Sequence, residues 1–236
     1  FMGFIDVLKN IFKILKNIRF CKMDILDFNP DKIIFIDYPG FNLRIAKWAN
    51  NKNFKTYFYI SPQIWAWKEN RIKSIKKYIN QMYVILPFEK DFYKKHNYRV
   101  QYYGHPLVNI IDESIKYQSK KKYQKPTIAI LPGSRKQEIN LILNKILDVA
   151  NEFREYEFII AGLNHINKET YYKIIENKKL NVKVVFNKTY EVLKDAEAAI
   201  VTSGTATLET ALIGTPQIVC YVTNPFNIYL ARLFVK

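Results

Sequence analysis

From Pro30 onward, short apolar runs alternate with stretches whose apolar residues recur every three or four positions. Segments 32–37, 55–60, 82–86 and 99–103 read as strands, with helical patterns over 42–51, 68–78 and 88–96 between them. The rhythm breaks over 109–125, which is polar, holds Lys120-Lys121-Lys122 and ends at Pro126. That stretch reads as an interdomain connection, giving an N-terminal domain over 1–116 and a C-terminal domain over 117–236. Alternation then resumes, with strands near 127–131, 157–161, 182–186, 198–202 and 217–222. Such a chain predicts an α/β fold with two Rossmann-like, doubly wound domains, each a parallel sheet covered by helices. A ligand is expected in the cleft between them, beyond the carboxyl ends of the strands.

Ahead of Pro30 the pattern is that of a basic amphipathic helix. Phe4, Leu8, Ile11, Phe12, Leu15 and Ile18 form a stripe, with Lys9, Lys13, Lys16 and Arg19 between them. The stripe fits either the core of the first domain or an anionic membrane surface, where Phe4, Leu8, Ile11, Phe12 and Leu15 would face lipid. Both chain ends fall inside helical patterns, so the sequence reads as the middle of a longer protein.

An apolar fraction of 49% over 236 residues supports a real core and argues against disorder. The net charge of +16 raises the question of nucleic acid. The lysines are spread along the whole chain and no nucleic-acid motif accompanies them, so an anionic membrane face or a phosphorylated substrate is the expected partner instead. Cys21 and Cys220 lie far apart, which fits a reducing, cytoplasmic setting. His96, His105 and His165 are too scattered to suggest a metal site. No run approaches the roughly 20 apolar residues of a membrane span.

The chemistry gathers after strand ends. Val201-Thr202-Ser203-Gly204-Thr205-Ala206-Thr207-Leu208-Glu209 carries a strand through small residues into a helix, and Thr205 and Glu209 share one helical face. The run 127–131 passes likewise through Pro132-Gly133-Ser134-Arg135 into a helix. Backbone N–H groups and helix dipoles at two such points suit a diphosphate, with Arg135 as a bidentate clamp and Glu209 as a partner for ribose hydroxyls. Arg135 could equally form a surface ion pair with Glu138. Asp37 ends a strand ahead of Tyr38-Pro39-Gly40-Phe41-Asn42, where it is placed as a general base or as a turn residue. Trp65 and Trp67, in Ser61-Pro62-Gln63-Ile64-Trp65-Ala66-Trp67, could wall an acyl chain or fill the core. His105, in Gly104-His105-Pro106, is a cleft candidate or a structural residue, and Asn42 is a further cleft candidate.

These segments, in order, resemble the lipid-A-disaccharide synthase family. The resemblance runs through Met2-Gly3-Phe4, Ile36 to Asn42, Ser61 to Trp67, Leu86-Pro87-Phe88-Glu89, Phe92-Tyr93 and Gly104-His105-Pro106-Leu107. It continues through Leu131 to Arg135, Glu138-Ile139, Ser203 to Glu209, Asn224-Pro225 and Ala231-Arg232-Leu233. It implies a glycosyltransferase B-type fold working without metal or cofactor, peripheral on the inner membrane. The implied reaction joins UDP-2,3-diacylglucosamine to 2,3-diacylglucosamine 1-phosphate, giving a β-1,6 disaccharide and UDP. Asp37 would deprotonate the acceptor, and Gly133, Ser134, Arg135, Ser203, Gly204, Thr205 and Glu209 would hold UDP. A homodimer is left open. The chain departs from the family at Gly40, where an acidic residue is usual. The alternative is an enzyme like the UDP-N-acetylglucosamine 2-epimerases, which share the fold and bind a sugar nucleotide without transferring the sugar.

Overall fold

A computed structural model describes residues 10–116, 123, 125–178, 180 and 182–222. They divide into two compact units between His105 and Pro106.

The first unit opens with α1 (Ile11–Phe28), then β1 (Lys32–Ile36), α2 (Pro39–Asn51) and β2 (Lys55–Tyr59). A 3-10 turn (Glu69–Arg71) leads into α3 (Ile72–Tyr78), followed by β3 (Gln81–Val84), α4 (Glu89–Lys95) and β4 (Gln101–Tyr102). The four strands pair in parallel in the order β1-β2-β3-β4. Alternation along β1 buries Ile33 and Phe35 and exposes Ile34 and Ile36. The buried side meets Ile45, Ala46 and Ala49 of α2 and Ile72 and Ile75 of α3, around Phe58, Met82 and Tyr93.

Helix α1 carries two apolar rows, and only one reaches this core. Ile18 is buried and Ile14, Cys21 and Ile25 pack beside it, while Phe12, Leu15, Met23 and Leu26 stay exposed. Ile18 thus parts company with Phe12 and Leu15, with which the sequence groups it. The row that packs is the one sustained at three- and four-residue spacing through to Ile25, near the helix end. Phe4 and Leu8 lie outside the described residues.

The second unit comprises α5 (Pro106–Lys116), β5 (Thr127–Leu131), α6 (Lys136–Ala150), β6 (Glu157–Gly162) and α7 (Lys168–Lys178). It continues through β7 (Lys183–Phe186), α8 (Thr189–Asp195), β8 (Ala198–Thr202), α9 (Thr205–Ile213) and β9 (Gln217–Cys220). All five strands are parallel, in the order β7-β6-β5-β8-β9. Successive residues point to opposite faces. Ala129, Leu131, Ile159 and Ala161 therefore join one core with Val192 and Leu193, while Ile130, Phe158 and Ile160 join the other with Leu143 and Tyr171. Both faces are filled, as a doubly wound sheet requires.

Residues 109–116, expected to begin the connection, continue a helix that Pro106 opens, a position that tolerates proline's missing N–H. Ile111 is buried, and α5 packs on α8 and α9. The division between the units therefore precedes α5. The apolar residues of α5, Leu107, Val108, Ile110 and Ile111, straddle the point where the polar, lysine-rich stretch is expected to begin, which hides the helix in the sequence.

Candidate active site

The strand order of the second unit has its switch point at β5 and β8. The chain leaves β5 toward β6 on one side and leaves β8 toward β9 on the other, opening a crevice beyond their carboxyl ends. Leu131 of β5 lies in register with Val201 of β8, so the loops that follow them are neighbours. Gly133 takes φ +112°, and a Cβ there would lie 2.9 Å from Glu138 Oε2 and 3.0 Å from its Cβ. Glycine is needed at this turn for conformation and for space. Gly204, the N-cap of α9, takes φ +157°, and no side chain caps that helix start. Thr202, at the end of β8, is buried, and its hydroxyl has no hydrogen-bond partner among the described residues. Such a group is costly unless something pairs with it.

Arg135 and Ser134 open α6. The Glu138 carboxylate accepts the Ser134 N–H at 3.1 Å and Arg135 Nη1 at 2.5 Å. The surface ion pair is thus formed, and a carboxylate holds the two donors that a phosphate at this helix start would use. His165, which follows β6, brings Nε2 to 3.1 Å from the Ser134 carbonyl. Glu209, half-buried on α9, accepts a hydrogen bond from the Tyr190 hydroxyl at 2.7 Å. Burial, then the Glu209 carboxylate, pushes the Tyr190 phenol above its ordinary range. The sequence signals neither contact: His165 merely follows a strand, and Tyr190 stands 19 positions before Glu209.

In the first unit Asp37 and Tyr38 both take left-handed backbone, at φ 46° and 45°. For residues with a Cβ each costs about 1–2 kcal/mol, so the turn must be held. The Asp37 N–H donates to the Tyr59 carbonyl at 3.0 Å, and Asn42 Nδ2 donates to the carbonyls of Ile36 at 3.1 Å and Asp37 at 2.7 Å. Asn42 is thereby a clamp on the turn, and the Asp37 side chain is exposed at the carboxyl edge of the sheet. A Cβ at Gly40 would meet nothing within 4 Å, so space does not demand glycine there.

The two tryptophans have different settings. Trp65 packs edge-on against Phe88 at 5.1 Å, whereas Trp67 is 40% exposed. Behind their loop lies a polar cluster that the sequence displays only as the fragment Leu86-Pro87-Phe88-Glu89. The Glu89 side chain is buried and accepts the backbone N–H groups of Ile85 at 3.2 Å and Leu86 at 2.9 Å. Burial pushes its carboxyl upward, against those N–H groups and the side chains of Ser61 and Trp65, which favour the charged form. Ser61 Oγ lies 2.7 Å from Tyr93 OH, and burial pushes that phenol up strongly. His105 is half-buried and is the last residue before the second unit.

The parallel sheets and the crevice at β5 and β8 define a glycosyltransferase B-type α/β fold. It is similar to the crystal structure of UDP-GlcNAc 2-epimerase from Neisseria meningitidis bound to UDP-GlcNAc. The TM-score is 0.60 at 15% identity, over 92% of this chain and 67% of that one. The sequence profile of the lipid-A-disaccharide synthetase family matches residues 1–236, and the chain belongs to that family. It is 34% identical over 244 residues to the lipid-A-disaccharide synthase of Trichlorobacter lovleyi and 35% identical over 247 residues to that of Syntrophus aciditrophicus. Each match takes in 100% of this chain, which spans 64% of the length of either relative. Among the described residues, no helix is long and apolar enough to cross a membrane.

Proposed function

We propose that the full-length protein is a lipid-A-disaccharide synthase, transferring the sugar of UDP-2,3-diacylglucosamine to 2,3-diacylglucosamine 1-phosphate and releasing UDP. The observation that carries this reading is the pair of glycine-bearing loops after β5 and β8, brought side by side by strand pairing. Asp37 acts as general base, taking the proton of the acceptor hydroxyl as its oxygen bonds to the anomeric carbon and the bond to UDP breaks. Gly133, Ser134, Arg135, Ser203, Gly204 and Thr205 bind the diphosphate. The starts of α6 and α9 and the Arg135 guanidinium stabilise the charge growing on UDP. Arg135 exchanges Glu138 for phosphate, and Glu209, oriented by Tyr190, accepts hydrogen bonds from the ribose. Loop 61–67 serves the acyl chains, with Trp67 outward and Trp65 as its support.

The exposed row of α1 supports peripheral association with an anionic membrane. Phe12 and Leu15 stand out from the fold beside Lys13, Lys16 and Arg19, the composition of an interfacial helix.

Turnover and calorimetry on the full-length enzyme test the reading. UDP release should require an acylated acceptor, and Asp37→Ala should lower transfer by about a hundredfold or more while the fold persists. Arg135→Ala and Glu209→Ala should each weaken UDP binding. UDP affinity unchanged in both variants, or UDP release independent of the acceptor, overturns it.

A further inference from the structure

Two cations sit over the Trp67 ring in the first unit, and a third, Arg44, is close enough to Arg71 for its charge to be felt there. Lys68 Nζ lies 4.3 Å from the centre of the indole and Arg71 Cζ lies 5.4 Å from it. Arg44 belongs to α2, which packs on α3, the helix that starts one residue after Arg71. Burial, then the Arg44 charge, pushes the Arg71 guanidinium below its ordinary value. Burial and then Arg71 do the same to the Lys68 ammonium. None of the ion pairs among the described residues involves Arg44, Lys68 or Arg71, and the intervening Glu69 reaches His96 at 3.2 Å. The backbone also accepts strain to build the cluster, because Lys68 adopts left-handed φ 55°, ψ 45° to turn the chain at the indole.

Like charges held together with no ion-pair partner among the described residues are an unfavourable arrangement for an empty surface and a favourable one for an anion. The indole face attracts two of the cations through its quadrupole. A guanidinium presents paired N–H donors that match the oxygens of a phosphate. The cluster follows β2, the strand beside β1, and so stands at the same carboxyl edge as Asp37.

We propose that Lys68 and Arg71, set over Trp67, bind a phosphate group together with Arg44 of the neighbouring helix α2, and that the occupant is the anomeric phosphate of the acceptor sugar. The naming of the occupant rests on the transferase reading above. The same chemistry would suit a phospholipid headgroup, so the experiment separates the two sources.

Calorimetry on the full-length protein measures binding apart from turnover, using short-acyl diacylglucosamine 1-phosphate and its dephosphorylated counterpart. Arg44→Gln and Arg71→Gln should each weaken binding of the phosphorylated sugar by about tenfold to a hundredfold, the range for a hydrogen bond to a charged group. The dephosphorylated sugar and UDP should bind as before, and Arg71→Lys should recover part of the loss. Arg44 is exposed, so its substitution leaves the core untouched. In steady state the acceptor KM should rise while kcat holds. Equal losses for both sugars, or no loss for either, overturn the proposal. Variants that keep acceptor affinity but leave phosphatidylglycerol vesicles assign the phosphate to a headgroup and overturn the acceptor as occupant. Wild-type protein that binds the phosphorylated sugar through these residues yet transfers nothing retains the phosphate site and refutes the transferase reading.

Discussion

Replacing Glu89 tests how the loop ends of the first sheet are held. Its carboxylate, 1% exposed, accepts two backbone N–H groups, from Ile85 and Leu86. Glu89→Ala leaves both part-buried donors without that acceptor, at up to about 1–3 kcal/mol each, and adds a cavity. Relief of the buried charge offsets part of this, so a net loss of about 2–4 kcal/mol is expected. Glu89→Gln keeps the volume and one acceptor oxygen and should cost about 1 kcal/mol or less. The pH dependence follows from the raised carboxyl. The folded state holds this proton more tightly than the unfolded chain does, so unfolding releases it between the ordinary carboxylate value and the raised one. The contribution of Glu89 to stability is therefore greatest below the ordinary value and declines as pH rises through the raised one. Urea denaturation followed by tryptophan fluorescence, at pH values spanning this range, measures both effects, since Trp65 belongs to the same cluster. The Gln variant should lose the Glu89 part of the pH slope. A Gln variant as damaged as the Ala variant, or a slope that rises with pH through this window and vanishes in the Gln variant, refutes the reasoning.

Two other substitutions probe the second sheet and α1. Gly133→Ala places a methyl against Glu138 at a left-handed backbone position. It should cost about 1–3 kcal/mol in urea and weaken UDP binding in calorimetry; wild-type behaviour in both would refute the role given to the turn. On α1 the two apolar rows should respond differently: Ile18→Ala should lower stability by about 2–4 kcal/mol, whereas Phe12→Ser should stay within about 0.5 kcal/mol. Sedimentation with anionic vesicles should show loss of binding for Phe12→Ser, and equal destabilisation by both would mean that Phe12 also belongs to the core.

Much of this protein is written locally. Strand and helix periods, the glycines at 133 and 204, and the placing of Asp37, Ser134 and Ser203 after apolar runs are properties of short segments, set by backbone sterics and by side-chain alternation. They suffice to predict parallel α/β units and a phosphate-binding character for two loops. What local patterns cannot hold is which strands become neighbours. The order β7-β6-β5-β8-β9 brings the loops after β5 and β8 together across some seventy residues of chain, because packing two helical layers on one sheet decides the pairing. The same long-range packing chose Ile14, Ile18, Cys21 and Ile25 over the second apolar row of α1 and gave α5 to the second unit. It also joined Tyr190 to Glu209 and Ser61 to Tyr93, and brought Arg44 of α2 near Arg71. Polar partners of this kind carry no periodicity, since a hydrogen bond or a charge cluster needs only proximity in space. The sequence determined the elements and the chemistry at their ends; the tertiary structure decided which ends meet, which apolar faces are buried and which stay exposed.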